Sequence, residues 1–120
     1  MRSLTKRDGV LEQCGAFAEA ELTYPFGDDT AVFKVAGKMF ALVSLGDAPA
    51  QATLKCDPEE ATALRRTYDG VTPGYHMNKR HWVTVDLGAA LPGELVADLV
   101  RGSYQLVVAS LPARRRPAPA

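Results

Sequence analysis

The chain has 120 residues but only two cysteines, Cys14 and Cys56, and they form no CxxC pair. That excludes a disulfide-stapled scaffold and a paired-cysteine metal ribbon. No apolar run approaches the roughly 20 residues needed to cross a bilayer. The opening segment MRSLTKRDG runs into charge rather than into the apolar core of a secretory signal. The expected setting is the reducing cytoplasm, away from membranes, with both thiols free and buried as small hydrophobes. Charge of one sign is also missing: 14 Lys plus Arg balance 14 Asp plus Glu. A dedicated nucleic-acid binder usually carries a cationic excess, so any polyanion site has to be a local patch. Recognisable catalytic signatures are absent too. There is no GxSxG, no P-loop and no dinucleotide fingerprint. The spacing of Cys14, Cys56, His76 and His81 fits no zinc pattern. Asp8, Glu12, Glu19 and Glu21 are spread too thinly for an oxygen-ligand iron ridge. No catalytic residue, metal or cofactor is therefore assigned.

What is present is an ordinary globular composition, 47% hydrophobic and 23% charged, enough for one domain over residues 1–112. Leu4, Val10, Leu11, Cys14 and Phe17 draw one apolar stripe and predict a helix from Ser3 to Phe17, capped by Ser3 or Thr5. After the turn-rich YPFGDD, the period becomes two. Thr30–Ala36 and Lys38–Leu45 read as a hairpin turning at Gly37. Gln51–Cys56 reads as a strand with Ala52, Leu54 and Cys56 inward and Gln51, Thr53 and Lys55 outward. Asp57-Pro58-Glu59-Glu60 is the clearest local signal, with an N-cap, a proline at the first helical position and a capping-box glutamate. It opens a helix that runs to about Tyr68. Val71–His81 reads as a loop and Trp82–Leu87 as a strand. A last helix starts near Pro92 on a stripe from Leu95 to Leu111, and Pro112 ends it. The basic, proline-rich tail 113–120 (ARRRPAPA) has no periodicity and is expected to be disordered. Consecutive strands with short links imply an antiparallel sheet with helices on one face, an α+β two-layer sandwich.

One segment concentrates unusual chemistry. Tyr75-His76-Met77-Asn78-Lys79-Arg80-His81-Trp82 holds both histidines and the only tryptophan beside two cations. Lys79 and Arg80 suit phosphate, Tyr75 or Trp82 suit base stacking, and Asn78 suits an adenine edge. Lys34, Lys38 and Lys55 would join them on one sheet surface if their strands neighbour the Trp82 strand. Residues 34–82 carry seven cations against five acids, whereas residues 1–33 carry three against six, so the middle of the chain is the more basic part. The plainer reading makes His76 and His81 partners of loop backbone, Asn78 a turn former and Lys79 and Arg80 solvated charges.

The blocks PFGDDTAVFKVAGKMFAL (Pro25–Leu42), LKCDPEEATALR (Leu54–Arg65), PGYHMNKRHWVTV (Pro73–Val85) and SYQLVVASLP (Ser103–Pro112) stand in the order found in the MmcQ/YjbR family. The chain resembles that family over residues 3–112. The resemblance implies a compact α+β fold similar to the bacterial frataxin-like (CyaY-like) fold, described as a double wing. It also implies the DNA-binding label commonly given to the family, and it supplies no catalytic residues. The functional expectation is thus a binding module for DNA, of low specificity, using Lys34, Lys38, Lys55, Tyr75, His76, Asn78, Lys79, Arg80 and Trp82. The alternatives are a self-associating or protein-interaction domain, and a metabolite-binding domain or enzyme using His76 or His81.

Overall fold

The computed structural model describes residues 5–46, 49–74, 78, 80–88 and 91–117. Among them the order is α1 (Lys6–Ala16), β1 (Ala20–Thr23), β2 (Thr30–Val35), β3 (Lys38–Ser44), β4 (Gln51–Lys55), α2 (Pro58–Thr67), β5 (Val71–Pro73), β6 (Trp82–Asp86), α3 (Gly93–Ala109) and a 3₁₀ turn at Ala113–Arg115. All strand pairs are antiparallel, and the sheet order is β1-β2-β3-β4-β6-β5. The helices cover one face, as the sequence pattern requires.

Local chemistry places most of these elements. Thr5 caps α1 by accepting from the Asp8 amide at 3.0 Å, and the Asp8 carboxylate in turn accepts from the Thr5 amide at 3.3 Å. The helix therefore begins three residues later than the apolar stripe suggests. Its polar side chains then fasten it across the domain, with Lys6 donating to the Leu91 carbonyl and Gln13 to the Ala97 carbonyl. Asp57 caps α2 and Pro58 occupies its first turn. The β2–β3 turn uses positive φ at both Ala36 (49°) and Gly37 (79°), the mirror-image turn whose twist matches the flanking strands.

Two strands arise where the sequence shows no clear alternation. The segment Ala-Glu-Leu-Thr of β1 has weak strand propensity and is a strand because β2 offers it a paired edge. The three-residue β5 ends on Pro73, tolerable because β5 is the other edge.

The core lies between the sheet and the helices. Ala31, Phe33 and Val35 of β2, Ala41 and Val43 of β3, Ala52 and Leu54 of β4, and Val83 and Val85 of β6 meet Val10, Cys14, Val96, Val100 and Val107 from α1 and α3. Ala61 and Leu64 carry α2 into the same cluster beside Val71. A bulge between Phe33 and Lys34 on the β2–β3 ladder turns Phe40 inward beside Ala41. Phe40 then sits among Phe17 (ring centroids 5.8 Å), Phe33 (6.2 Å) and Tyr104 (5.2 Å).

Both cysteines are buried and free. Burial pushes the Cys14 thiol up to about 12 from an ordinary value near 9. Burial, aided by Glu60 and Asp57, pushes Cys56 up to about 11. The unfolded chain therefore loses these protons from about pH 9, while the folded chain keeps them until about pH 11 and 12. Over that window the unfolded state binds fewer protons, so stability falls as pH rises. Denaturant melts stepped upward from about pH 8 should show this fall, and Cys14→Ala should flatten it. A profile that is equally steep in the variant would contradict the assignment.

Candidate functional site

The sheet register decides which of the predicted cations share a surface. Directly paired residues lie on the same face. Core residues Phe33 and Val85 thus mark the helix side, and their neighbours in sequence mark the outer side. One outer row runs Thr23, Val32, Leu42, Thr53, Thr84, Thr72 across all six strands. Thr53 and Thr84 join hydroxyls at 3.1 Å. A second row places Glu21, Lys34 and Met39 together on β1 to β3, and pairs Lys55 with Trp82 on β4 and β6. The β4 and β6 strands are neighbours, so lysine, threonine and tryptophan do meet on the outer face.

Two residues behave differently from their expected roles. Lys38 pairs with the core residue Val35. The bulge breaks the alternation, and Lys38 is carried to the helix side, where its ammonium donates to the Ser110 hydroxyl at 3.4 Å. Lys34 and Lys38 therefore flank the hairpin end from opposite faces. Trp82 exposes only 9% of its surface, too little to offer a base a stacking face. Gly74 lies directly against it: its amide donates to the Trp82 carbonyl at 2.9 Å, and a Cβ at position 74 would stand 2.6 Å from that of Trp82.

Of the remaining loop residues, Tyr75, His76, Met77 and Lys79 lie outside the described residues. Asn78 takes the turn-forming role, its side-chain carbonyl accepting from the Arg80 amide at 3.0 Å. The His81 carbonyl accepts from the Cys56 amide at 2.7 Å. Arg80 is exposed and faces Pro58, Glu59, Thr62 and Arg65 across an open groove of about 390 Å³. Glu59 makes that groove mixed in charge.

The structure also gathers cations that the sequence pattern left aside. Beyond Pro112 the chain turns back toward the hairpin. Arg115 donates to the Ala36 carbonyl at 3.1 Å. Arg116 donates to the Leu111 and Ala109 carbonyls at 2.9 and 3.0 Å, which satisfies the end of α3 and suits its negative dipole end. Lys38, Arg114, Arg115 and Arg116 are thus brought to one end of the domain, with Lys34 around the hairpin. Residues 30–46 and 99–117, which meet here, contain no acid. Glu21 of β1 is the acid facing Lys34. The signal available beforehand was the Arg-Arg-Arg run itself, but only the fold places it beside Lys38.

Among the described residues no His, Cys, Asp and Glu cluster has metal-site geometry, and no helix is long and apolar enough to cross a membrane. The geometry defines a two-layer α+β domain with a six-stranded antiparallel sheet, helices on one side and a cationic hairpin end. The chain belongs to the YjbR family, whose model matches residues 15–106. It is 40% identical over 94 residues to the uncharacterised protein YbdF of Escherichia coli O157:H7, covering 78% of this chain and 77% of that one. It is 36% identical over 107 residues to the uncharacterised protein YjbR of Escherichia coli K12, covering 89% and 91%. A crystal structure of a Deinococcus radiodurans protein superposes with a TM-score of 0.84 at 38% identity, over 90% of this chain and 83% of that one. A Pseudomonas syringae protein superposes with a TM-score of 0.72 at 30% identity, over 83% and 97%.

Proposed function

We propose that this chain is a binding module that takes nucleic acid weakly, through its phosphates, at the hairpin end of the domain. The observation that carries the reading is the meeting of two acid-free segments, one bearing Lys34 and Lys38 and the other Arg114, Arg115 and Arg116. Exposed guanidinium and ammonium groups in such a cluster neutralise phosphates and release counterions. Net neutrality keeps the attraction local, and the buried Trp82 removes a stacking contribution. Low affinity, steep salt dependence and little sequence preference follow. DNA is the polyanion the reading names.

Anisotropy of short labelled single- and double-stranded DNA, at roughly 50 and 150 mM salt, tests this. The Lys38→Ala, Arg114→Ala, Arg115→Ala triple variant should lose affinity and lower the salt slope by about 2–3. Lys79→Ala with Arg80→Ala should change binding far less. Loss in the second variant alone would return the site to the loop at 78–82. No binding of either DNA by the unmodified protein would remove the nucleic-acid reading.

A further inference from the structure

Along the free edge of β1, next to β2, the chemistry changes. The β1 strand has β2 on one side and no strand among the described residues on the other. Its inward-facing side chains are Ala20 and Leu22, since Leu22 pairs with the core residue Phe33. Ala20 is partly buried against the core, whereas Leu22 stays exposed. Leu22 and Tyr24 are each 49% exposed, and Phe26 just beyond is 64% exposed. Leu22 and Tyr24, with Leu11 of α1, Phe33 of β2 and Leu45, border an apolar groove of about 310 Å³. Three large apolar residues standing open in one short segment mark an interaction surface more often than chance exposure.

The surroundings of the groove are acidic. Glu19, Glu21, Asp28 and Asp29 are all exposed. Of the nearby cations, Lys34 faces Glu21 across the β1–β2 ladder, and Lys6 and Arg7 are turned to the Leu91 and Gly46 carbonyls at 2.8 and 3.1 Å. Unlike β5, which is three residues long and ends in Pro73, β1 carries no proline to block strand addition.

We infer that the outer edge of β1 accepts an extended protein segment as a seventh strand, with apolar and basic side chains alternating along it. Main-chain hydrogen bonds to the open edge supply the general attraction. Every second side chain of the added strand falls beside Leu22 and Tyr24 and enters the groove. The intervening side chains fall beside Glu21, on the outer face, where opposite charge is favoured. A polyanion is refused by the same acids. A second copy of this chain is disfavoured as the occupant, because two-fold pairing of β1 with itself brings Glu19 and Glu21 of each copy close to those of the other. The site adjoins the cationic hairpin end through the Glu21–Lys34 pair, so Leu22→Asp, which leaves that pair intact, distinguishes failure of this inference from failure of the nucleic-acid reading.

Selection from a random linear peptide library displayed on phage, against the full chain, tests the inference. Peptides alternating apolar and Lys or Arg, free of proline at the centre, should be enriched. Their synthetic versions should bind at least about tenfold more weakly to Leu22→Asp, which takes away one buried apolar anchor. Glu21→Lys, a change on an exposed face, should instead enrich peptides with Asp or Glu at the intervening positions. Enrichment without alternation would overturn the proposal, as would binding indifferent to both variants. A concentration-dependent dimer broken by Leu22→Asp would assign the edge to a second copy and overturn it as well.

Discussion

Phe40→Ala should lower the free energy of unfolding by about 3–5 kcal/mol, the cost of emptying a buried aromatic site whose walls collapse only partly. Phe40 is fully buried and packs against three other rings. Phe17 and Tyr104, which flank it, are themselves stacked at 4.3 Å with planes 6° apart. Tyr104 is fixed at its far end, its hydroxyl donating to the Ala18 carbonyl at 2.7 Å. These anchored walls belong to α3 and to the end of α1, so they cannot follow the backbone of β3 into the void. For a domain whose whole stability is about 5–15 kcal/mol, such a loss is a large share. Urea denaturation followed by far-UV circular dichroism should show the midpoint falling with little change in slope. A loss below about 1 kcal/mol would mean that the bulge relaxes and the site closes.

Ser103→Ala should be the most damaging loss of a single hydroxyl among the described residues. Ser103 is completely buried in α3. Its hydroxyl donates to the Phe40 carbonyl at 2.5 Å and accepts from the Lys55 amide at 2.8 Å. The regular β3–β4 register ends at the pair Ala41 and Leu54. Beyond it, the next backbone groups of the two strands reach the helix hydroxyl instead. Alanine leaves both without that partner; the buried Phe40 carbonyl costs about 1–3 kcal/mol, and the part-buried Lys55 amide adds less. Ser110 on the same helix is the matched control. Its hydroxyl, at the C-cap, donates to the Val107 carbonyl at 2.6 Å and accepts an exposed, long bond from Lys38 at 3.4 Å, and Ser110→Ala should change stability by less than about 0.5 kcal/mol. Equal effects of the two changes in urea melts would contradict the bridging role of Ser103.

These two sites show what the sequence makes legible. The inward set Ala52, Leu54 and Cys56 and the stripe on α3 follow from period alone, and the Asp57-Pro58 start of α2 follows from capping chemistry. Phe40 and Ser103 do not follow in the same way. Alternation along β3 gives no warning of the bulge that turns Phe40 inward and Lys38 to the helix side. A serine on an apolar helix stripe shows its position but not the two backbone groups it satisfies. The β1 strand escapes because Ala-Glu-Leu-Thr pairs for reasons that reside in β2. The candidate site is legible to a similar extent. Lys55 lies beside Trp82 and Thr53 beside Thr84, as adjacency of their strands required. Trp82 is recognisable as unusual, but its burial depends on the close backbone of Gly74. The approach of Arg115 to Ala36 joins residues far apart in sequence, and no local pattern encodes that distance.

Backbone amide shifts of the labelled protein, followed by NMR during titration with a short duplex DNA at low salt, test the proposed nucleic-acid site most directly. The expected result is fast-exchange movement confined to residues 34–38 and 110–116, reversed by added salt. Movement centred on 78–82 with the hairpin end still, or no movement at all at millimolar DNA, would contradict it.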